Sequence, residues 1–426
     1  MNKVLVIGRG GREHALAWKF SKSASVGTVY VAPGNKGMAD VAVPVNIEEN
    51  DFNALIDFAK KEAVALTVIG PEIPLVNGIV DRFLQAGLPV FGPTKNAALI
   101  EGSKSFAKNL MKKHGIPTAA YEVFTDYAAA CRHVEKADMP IVIKADGLAA
   151  GKGVVIAHTP KEAQHVLQGM MQDGERHGES SNAGMTVVLE EFLEGEEFSY
   201  IAFVSGEKVY PLALSQDHKR AFDGDKGPNT GGMGAYSPVP QIGTDVVKCA
   251  TETILEKTAQ VMVRENRSFT GFLYAGLIAT SQGPKVIEFN ARLGDPEAQV
   301  LLPRLESDLF ETIMSLLKGD DVALSWSADA TVGVVLASKG YPRSYRAGFP
   351  IDGLDSLKDD TFVFHSGTDL KDGKLVTNGG RVLVVARKAQ TFDSARKEVY
   401  EEIAKIKCDN LFCRNDIGWR GTSAEA

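Results

Sequence analysis

Glu288, Asn290 and Arg292 stand at alternate positions of VIEFNARLGDPE, Val286 to Glu297. Alternate side chains of a strand share a face, so Glu288 and Asn290 present two oxygen donors side by side, with Ile287 and Phe289 on the other face. Such a pair suits magnesium, which commonly takes one or two protein ligands and completes its shell from phosphate oxygens and water. Arg292 follows on the same side and can neutralise a phosphoryl group in transfer. The bland use of the same residues is a polar strand edge with a surface salt bridge.

A phosphate-binding pattern lies upstream in KADGLAAGKGV, Lys144 to Val154. It is not a P-loop, because Gly147 and Gly151 are three residues apart and Lys152 precedes Gly153, not a hydroxyl residue. Bare backbone N–H groups and an ammonium can still reach the oxygens of a polyanion. Gly8 to His14 likewise joins a strand to a helix, where an anion meets a helix N-terminus. Glu13 occupies the position where a dinucleotide fingerprint needs glycine, and no acid ends the second strand, so a dehydrogenase reading is weak.

Glu190 to Glu197 packs five carboxylates into eight positions directly after a strand. A solvated acidic turn is the ordinary explanation; the alternative is a crossover whose backbone meets an adenine edge and whose later glutamate holds a ribose. Ser215 to Ser237 is long, without apolar periodicity and rich in glycine, and Asp217, His218, Lys219 and Arg220 give it the character of a substrate loop. His133, His165 and His365 fall outside any such cluster and read as ordinary residues.

The elements that must position these groups alternate in type. Short apolar runs at Val4 to Ile7, Val29 to Ala32, Ala65 to Ile69 and Pro89 to Phe91 are separated by helical stretches such as Phe52 to Lys61 and Val80 to Ala86. This alternation predicts a parallel sheet with helices on both faces over residues 1–103. A punctuated helix follows, with Ser103 as N-cap, Lys104 to His114 as body and Gly115 as stop. Thr159-Pro160 announces another helix. Met185 to Leu189, Tyr200 to Val204 and Val209 to Leu214 read as strands, and Phe272 to Thr280 with Lys285 to Phe289 as a hairpin. After Gly319 a small third α/β unit holds Thr331 to Ala337, Arg381 to Ala386 and a helix near Phe392 to Ile406.

At 426 residues the chain exceeds one compact core. Its net charge of −7 argues against nucleic acid or an anionic membrane as main partner. Four cysteines without metal-ligand spacing, and no apolar run of about 18 residues, point to a reduced cytoplasmic setting without a membrane span.

The glycine-lysine loop, acidic crossover and Glu-x-Asn-x-Arg strand, in this order, resemble the ATP-grasp superfamily. Essentially the whole chain resembles its phosphoribosylamine–glycine ligase family, through GRGGREHAL, GPEIPLVNGIVD from Gly70, SQDHKRAFDGDKGPNTGGMGAYSP from Ser215 and EFNARLGDPEAQ from Glu288. The resemblance implies a Rossmann-like N-terminal domain, an ATP-grasp domain over 104–325 with a lid subdomain at about 124–190, and a C-terminal α/β domain over 326–426. It implies ATP phosphates on Lys104 and Lys144, under a lid from Gly147 to Gly153 that includes Gly151 and Lys152. Adenine falls to Glu190, Glu191, Phe192 and Leu193, ribose to Glu197, and Mg2+ or Mn2+ to Glu288 and Asn290, with Arg292 catalytic. Gly10, Gly11, Glu72, Asp217, Lys219, Gly294 and Asp295 are left for the substrates. Many superfamily members add a metal-binding carboxylate on the preceding strand, and Leu273-Tyr274-Ala275 offers none.

The family reaction joins glycine to 5-phosphoribosylamine through a glycyl phosphate, giving glycinamide ribonucleotide, ADP and phosphate, in a protein expected to be a monomer. Two rivals are another ATP-grasp ligase or carboxylase of purine metabolism, against which the Ser215 to Ser237 stretch argues, and a regulatory nucleotide-binding module, against which Glu288, Asn290 and Arg292 argue.

Overall fold

A computed structural model of the chain describes residues 1–148, 153–172 and 186–422. The first domain runs through β1 (Asn2–Gly8), α1 (Gly11–Ser21), β2 (Val26–Pro33), β3 (Val43–Pro44), α2 (Phe52–Lys61), β4 (Leu66–Ile69) and β5 (Val90–Phe91). These strands pair in parallel in the order β3-β2-β1-β4-β5. Val4 to Ile7 are wholly buried, as expected of a strand covered on both faces. β1 and β2 extend beyond their apolar runs because backbone pairing includes polar Asn2, Lys3 and Thr28, which hydrophobicity does not mark.

Helix Lys104–His114 has the predicted bounds: Ser103 Oγ accepts from the Phe106 N–H at 3.1 Å, and Gly115 closes it with φ 63°. Strands Tyr121–Phe124, Ile141–Ala145, Val154–Ala157 and Val187–Glu191 form one antiparallel sheet. With helix Pro160–Met171 it builds a separate small core around Ile143, Leu167 and Leu189. A second antiparallel sheet holds Glu196–Ser205, Lys208–Pro211, Thr270–Thr280 and Gly283–Asn290. The last two make the expected hairpin, with a register shift between Gly276 and Leu277 that leaves Ile287 as an extra residue. This bulge breaks strict alternation, so buried Val286 and Phe289 are three residues apart.

The stretch from Ser215 to Ser237 differs from a plain loop. Gly234–Ser237 pairs antiparallel with Ala330–Ser338, and Gln216–Asp217 adds beyond it, so this segment completes the C-terminal sheet. Its pairing partner lies about a hundred residues away, and local periodicity cannot show that. A buried Arg414 ties the same segment down, with ion pairs to Asp225 at 2.9 Å and Asp416 at 2.7 Å. Among the described residues, no helix is long and apolar enough to cross a membrane.

His14 and His365 dock the first domain on the C-terminal one: the His365 N–H donates to His14 Nδ1 at 2.9 Å, so that nitrogen must be unprotonated. His365 is therefore a packing residue at a domain joint. Burial pushes His14 down to about 4, and burial with the His14 charge pushes His365 down to about 3. Both folded values lie below the unfolded one, so the unfolded chain binds the extra protons and stability falls as pH drops through about 6.5 toward 4. Equilibrium unfolding between pH 7 and 4.5 should show a loss of roughly 2.4 kcal/mol from His14 alone. His14→Asn, whose amide oxygen can replace Nδ1 as acceptor, should flatten that slope; an unchanged slope contradicts the assignment.

Candidate active site

Strand Gly283–Asn290 is the rail on which the site is built. Lys144 reaches from the small sheet to donate to the Ile287 carbonyl at 3.0 Å, an acceptor at the bulge. Lys104, at the start of its helix, donates to the Gly147 carbonyl at 2.6 Å. Burial pushes the Lys104 ammonium below its usual range, while Glu288 pulls it up and Lys144 pushes it down, so these three charges act on one space. The lysines thus converge beside the first metal candidate. Gly153 accepts from the Ala145 N–H at 2.9 Å, whereas Gly151 and Lys152 lie outside the described residues.

The donor set at Glu288 and Asn290 fits a divalent cation. Both side chains are half-buried and both offer oxygen. Asn290 Oδ1 receives Arg292 Nη2 at 3.4 Å, a weak contact that leaves its lone pairs available. Tyr274, directly across from Asn290, fills the place of the missing carboxylate on the neighbouring strand. Its hydroxyl donates to Glu297 Oε1 at 2.9 Å, and Ser199 Oγ is 3.2 Å from the same oxygen. Glu297 was not anticipated; nothing in its spacing sets it apart from the strand residues before it.

Arg292, expected to neutralise a phosphoryl group in transfer, is paired with two carboxylates. Its Nε lies 2.8 Å from Glu72 Oε2 and its Nη2 2.9 Å from Glu101 Oε1, so two carboxylates already share its charge. Burial alone would push Glu72 up, but Arg292 and Arg12 hold it at about 2. Burial pushes Glu101 up to about 7 against the pull of Arg292. Glu101 also accepts from the Ala291 N–H at 2.7 Å, which fixes the backbone beside Asn290. Arg292 and Glu101 therefore hold the end of strand Gly283–Asn290 in place.

The Glu190 carboxylate points inward, buried between Lys144 at 3.0 Å and Lys108 at 2.7 Å. Glu191 points outward and accepts from the Ala120 N–H at 2.9 Å. Phe192 is exposed and Leu193 half-buried, which leaves an apolar platform at the strand end that suits a purine face. Glu197 holds Lys219 at 3.1 Å, and Lys219 lies 3.5 Å from Asp217. Burial pushes Asp217 up to about 7 against the pull of Lys219, while Lys219, despite its burial, is held well above its usual range by Asp217 and Glu197. The charge of Glu288 also acts on both Asp217 and Lys219. His218 faces away and accepts from the Gly418 N–H at 2.9 Å.

The remaining expected substrate residues meet where the three domains join. Glu13 folds back so that its Oε2 accepts from the Gly10 N–H at 2.6 Å, and its carboxylate takes the space a dinucleotide pyrophosphate would need. A side chain on Gly11 would stand 2.5 Å from Ser366 Oγ and 2.7 Å from Gln299 Nε2. Asp295 accepts from Gln299 at 2.8 Å and pairs with Arg381 at 3.3 Å, beside Gly10. Gly294 leaves room for the Glu297 carboxylate. Arg381 was missed, although Gly379-Gly380 before it marks a close approach.

Three family models match in succession: the phosphoribosylglycinamide synthetase N domain at residues 2–101, its ATP-grasp (A) domain at 102–298 and its C domain at 331–420. A phosphoribosylamine–glycine ligase of Halalkalibacterium halodurans is 58% identical over 99% of this chain and 98% of its own length. One from Vibrio vulnificus is 49% identical over 99% of both. The crystal structure of phosphoribosylamine–glycine ligase from Thermotoga maritima superposes with a TM-score of 0.85 at 35% identity, covering 98% of this chain and all of that one. A Campylobacter jejuni biotin carboxylase, at 12% identity and TM-score 0.74 over 100% of this chain and 95% of that one, shares the fold alone.

Glu288→Gln removes the charged member of the proposed donor pair and should cut turnover by about two powers of ten. Steady-state assays at ordinary magnesium check this, and a wild-type rate in the variant would remove Glu288 from the metal set.

Proposed function

The chain belongs to the phosphoribosylglycinamide synthetase family, and from that premise we propose how its residues divide the work. It is an ATP-dependent ligase of purine biosynthesis that joins glycine to 5-phosphoribosylamine. The observation that carries the residue-level reading is the meeting of Lys104, Lys144 and Glu288 at one end of strand Gly283–Asn290.

Lys104 and Lys144 hold the ATP phosphates, and the base rests on Phe192 and Leu193 with Glu197 toward the ribose. Mg2+ or Mn2+ would be held by Glu288 and Asn290, where it would neutralise phosphate charge. A glycine carboxylate oxygen then attacks the γ-phosphorus and ADP departs, because a free carboxylate is too poor an electrophile to meet an amine. The neutral amine of phosphoribosylamine attacks the carbonyl carbon of the glycyl phosphate; phosphate leaves and the new amide nitrogen loses a proton. Alignment and charge neutralisation supply most of the acceleration in such transfers. Asp217 and Lys219 face glycine, while Gly10, Gly11, Gly294 and Asp295 face the phosphoribosyl end. Glu72 and Arg292 couple the two ends.

We take residues 1–103, 104–325 and 326–426 as the domains and read the protein as a cytoplasmic monomer. Its four cysteines are free thiols, in keeping with a reducing compartment, and its exposed large apolar side chains, from Val43 to Trp419, are spread along the sequence. Measuring ADP release with glycine and phosphoribosylamine each omitted in turn tests the function. Release should require both; equal release without phosphoribosylamine would mean that the amine is not the acceptor.

A further inference from the structure

Lys108 belongs to none of the roles above. It lies one helical turn after Lys104 on the same face of helix Lys104–His114 and is 2% exposed. Its Nζ sits 2.7 Å from Glu190 Oε2 and donates to Thr118 Oγ1 at 2.8 Å. Thr118 Oγ1 in turn donates to the Val286 carbonyl at 2.7 Å. On the other side, Glu190 Oε1 lies 3.0 Å from Lys144 Nζ, which donates to the carbonyl of Ile287. The chain Thr118, Lys108, Glu190, Lys144 thus begins and ends on consecutive carbonyls of the strand whose next residue is Glu288. It crosses between the two sheets, since Lys144 and Glu190 come from the small one.

The charge balance gives this ring a purpose. Lys144 paired with Glu190 alone would be neutral and would offer a polyphosphate little attraction. Lys108 neutralises Glu190 from behind, so the buried group as a whole carries one positive charge. A simple lobe-to-lobe tether would need a single ion pair, not two ammonium groups on one carboxylate at the cost of desolvating both.

We propose that Lys108 is a positioning residue of the nucleotide site: with Thr118 it ties Glu190 to the metal strand, and it keeps the Lys144–Glu190 pair cationic toward the ATP phosphates. This rests on the reading that Lys144 contacts those phosphates.

The test uses full-length wild type, Lys108→Met, Glu190→Gln, the double variant and Lys144→Met. Calorimetry gives the affinity for a non-hydrolysable ATP analogue with magnesium, and steady-state assays give KM for glycine. Lys108→Met should weaken nucleotide binding about tenfold or more and leave the glycine KM within about twofold. The double variant, in which Lys144 alone supplies the single positive charge of the intact group, should bind nucleotide within about threefold of wild type. If Lys108→Met does not fold, the double variant still decides: affinity near wild type supports the role, and a loss of about tenfold or more overturns it. Unchanged nucleotide affinity in Lys108→Met, with lowered melting temperature, would reduce Lys108 to a structural tether. Unchanged affinity in Lys144→Met would instead remove the underlying phosphate contact.

Discussion

The guanidinium of Arg292, held between Glu72 and Glu101, is the contact on which the arrangement of the site depends. Glu72 belongs to the first domain and follows β4, Glu101 ends the helix that leads out of that domain, and Arg292 follows the metal strand. One side chain therefore ties the first domain to the end of strand Gly283–Asn290. Removing one member of such a buried group strands the others, at about 3–5 kcal/mol. Because Glu101 also fixes the Ala291 N–H and Arg292 touches Asn290, a shift in domain docking would move Asn290 directly.

Around that centre the charges are arranged in two layers. Lysines 104, 108 and 144 stand on one flank of strand Gly283–Asn290, and Asp217 with Lys219 on another. The second flank is rigid because its segment is a working part of the C-terminal sheet and is locked by Arg414. The C-terminal domain thus contributes more than a cover, since it pairs with Gly234–Ser237 and adds Arg381 beside Asp295. An acyl phosphate hydrolyses readily in water, so a site closed by three domains suits its chemistry.

Much of this was legible in the sequence. Helix Lys104–His114 is bounded by a serine cap and a glycine stop, local signals that needed no tertiary context, and Phe52–Lys61 carries its own apolar stripe. Glu288 and Asn290 were marked by alternation, which survives on their side of the bulge at Ile287. What escaped depends on pairing across long separations. Gly234–Ser237 looks like loop because its glycines hide a strand whose partner is Ala330–Ser338. Glu190 could be seen as an acid in an acidic run, but its direction, inward to Lys108 and Lys144, follows from the pairing of Val187–Glu191 within the small sheet. Arg292 showed its charge and not its two partners, which come from more than 190 residues upstream. Only the spacing of Lys104 and Lys108, one turn apart, could have exposed the second lysine.

The central claim is that this site activates the glycine carboxylate by transferring the γ-phosphoryl group onto it. Turnover of glycine labelled with 18O in its carboxylate, followed by mass analysis of the inorganic phosphate, tests this most directly. One labelled oxygen should appear in each phosphate released, because the carbon–oxygen bond of the glycyl phosphate breaks when the amine attacks. Phosphate free of label would contradict the account.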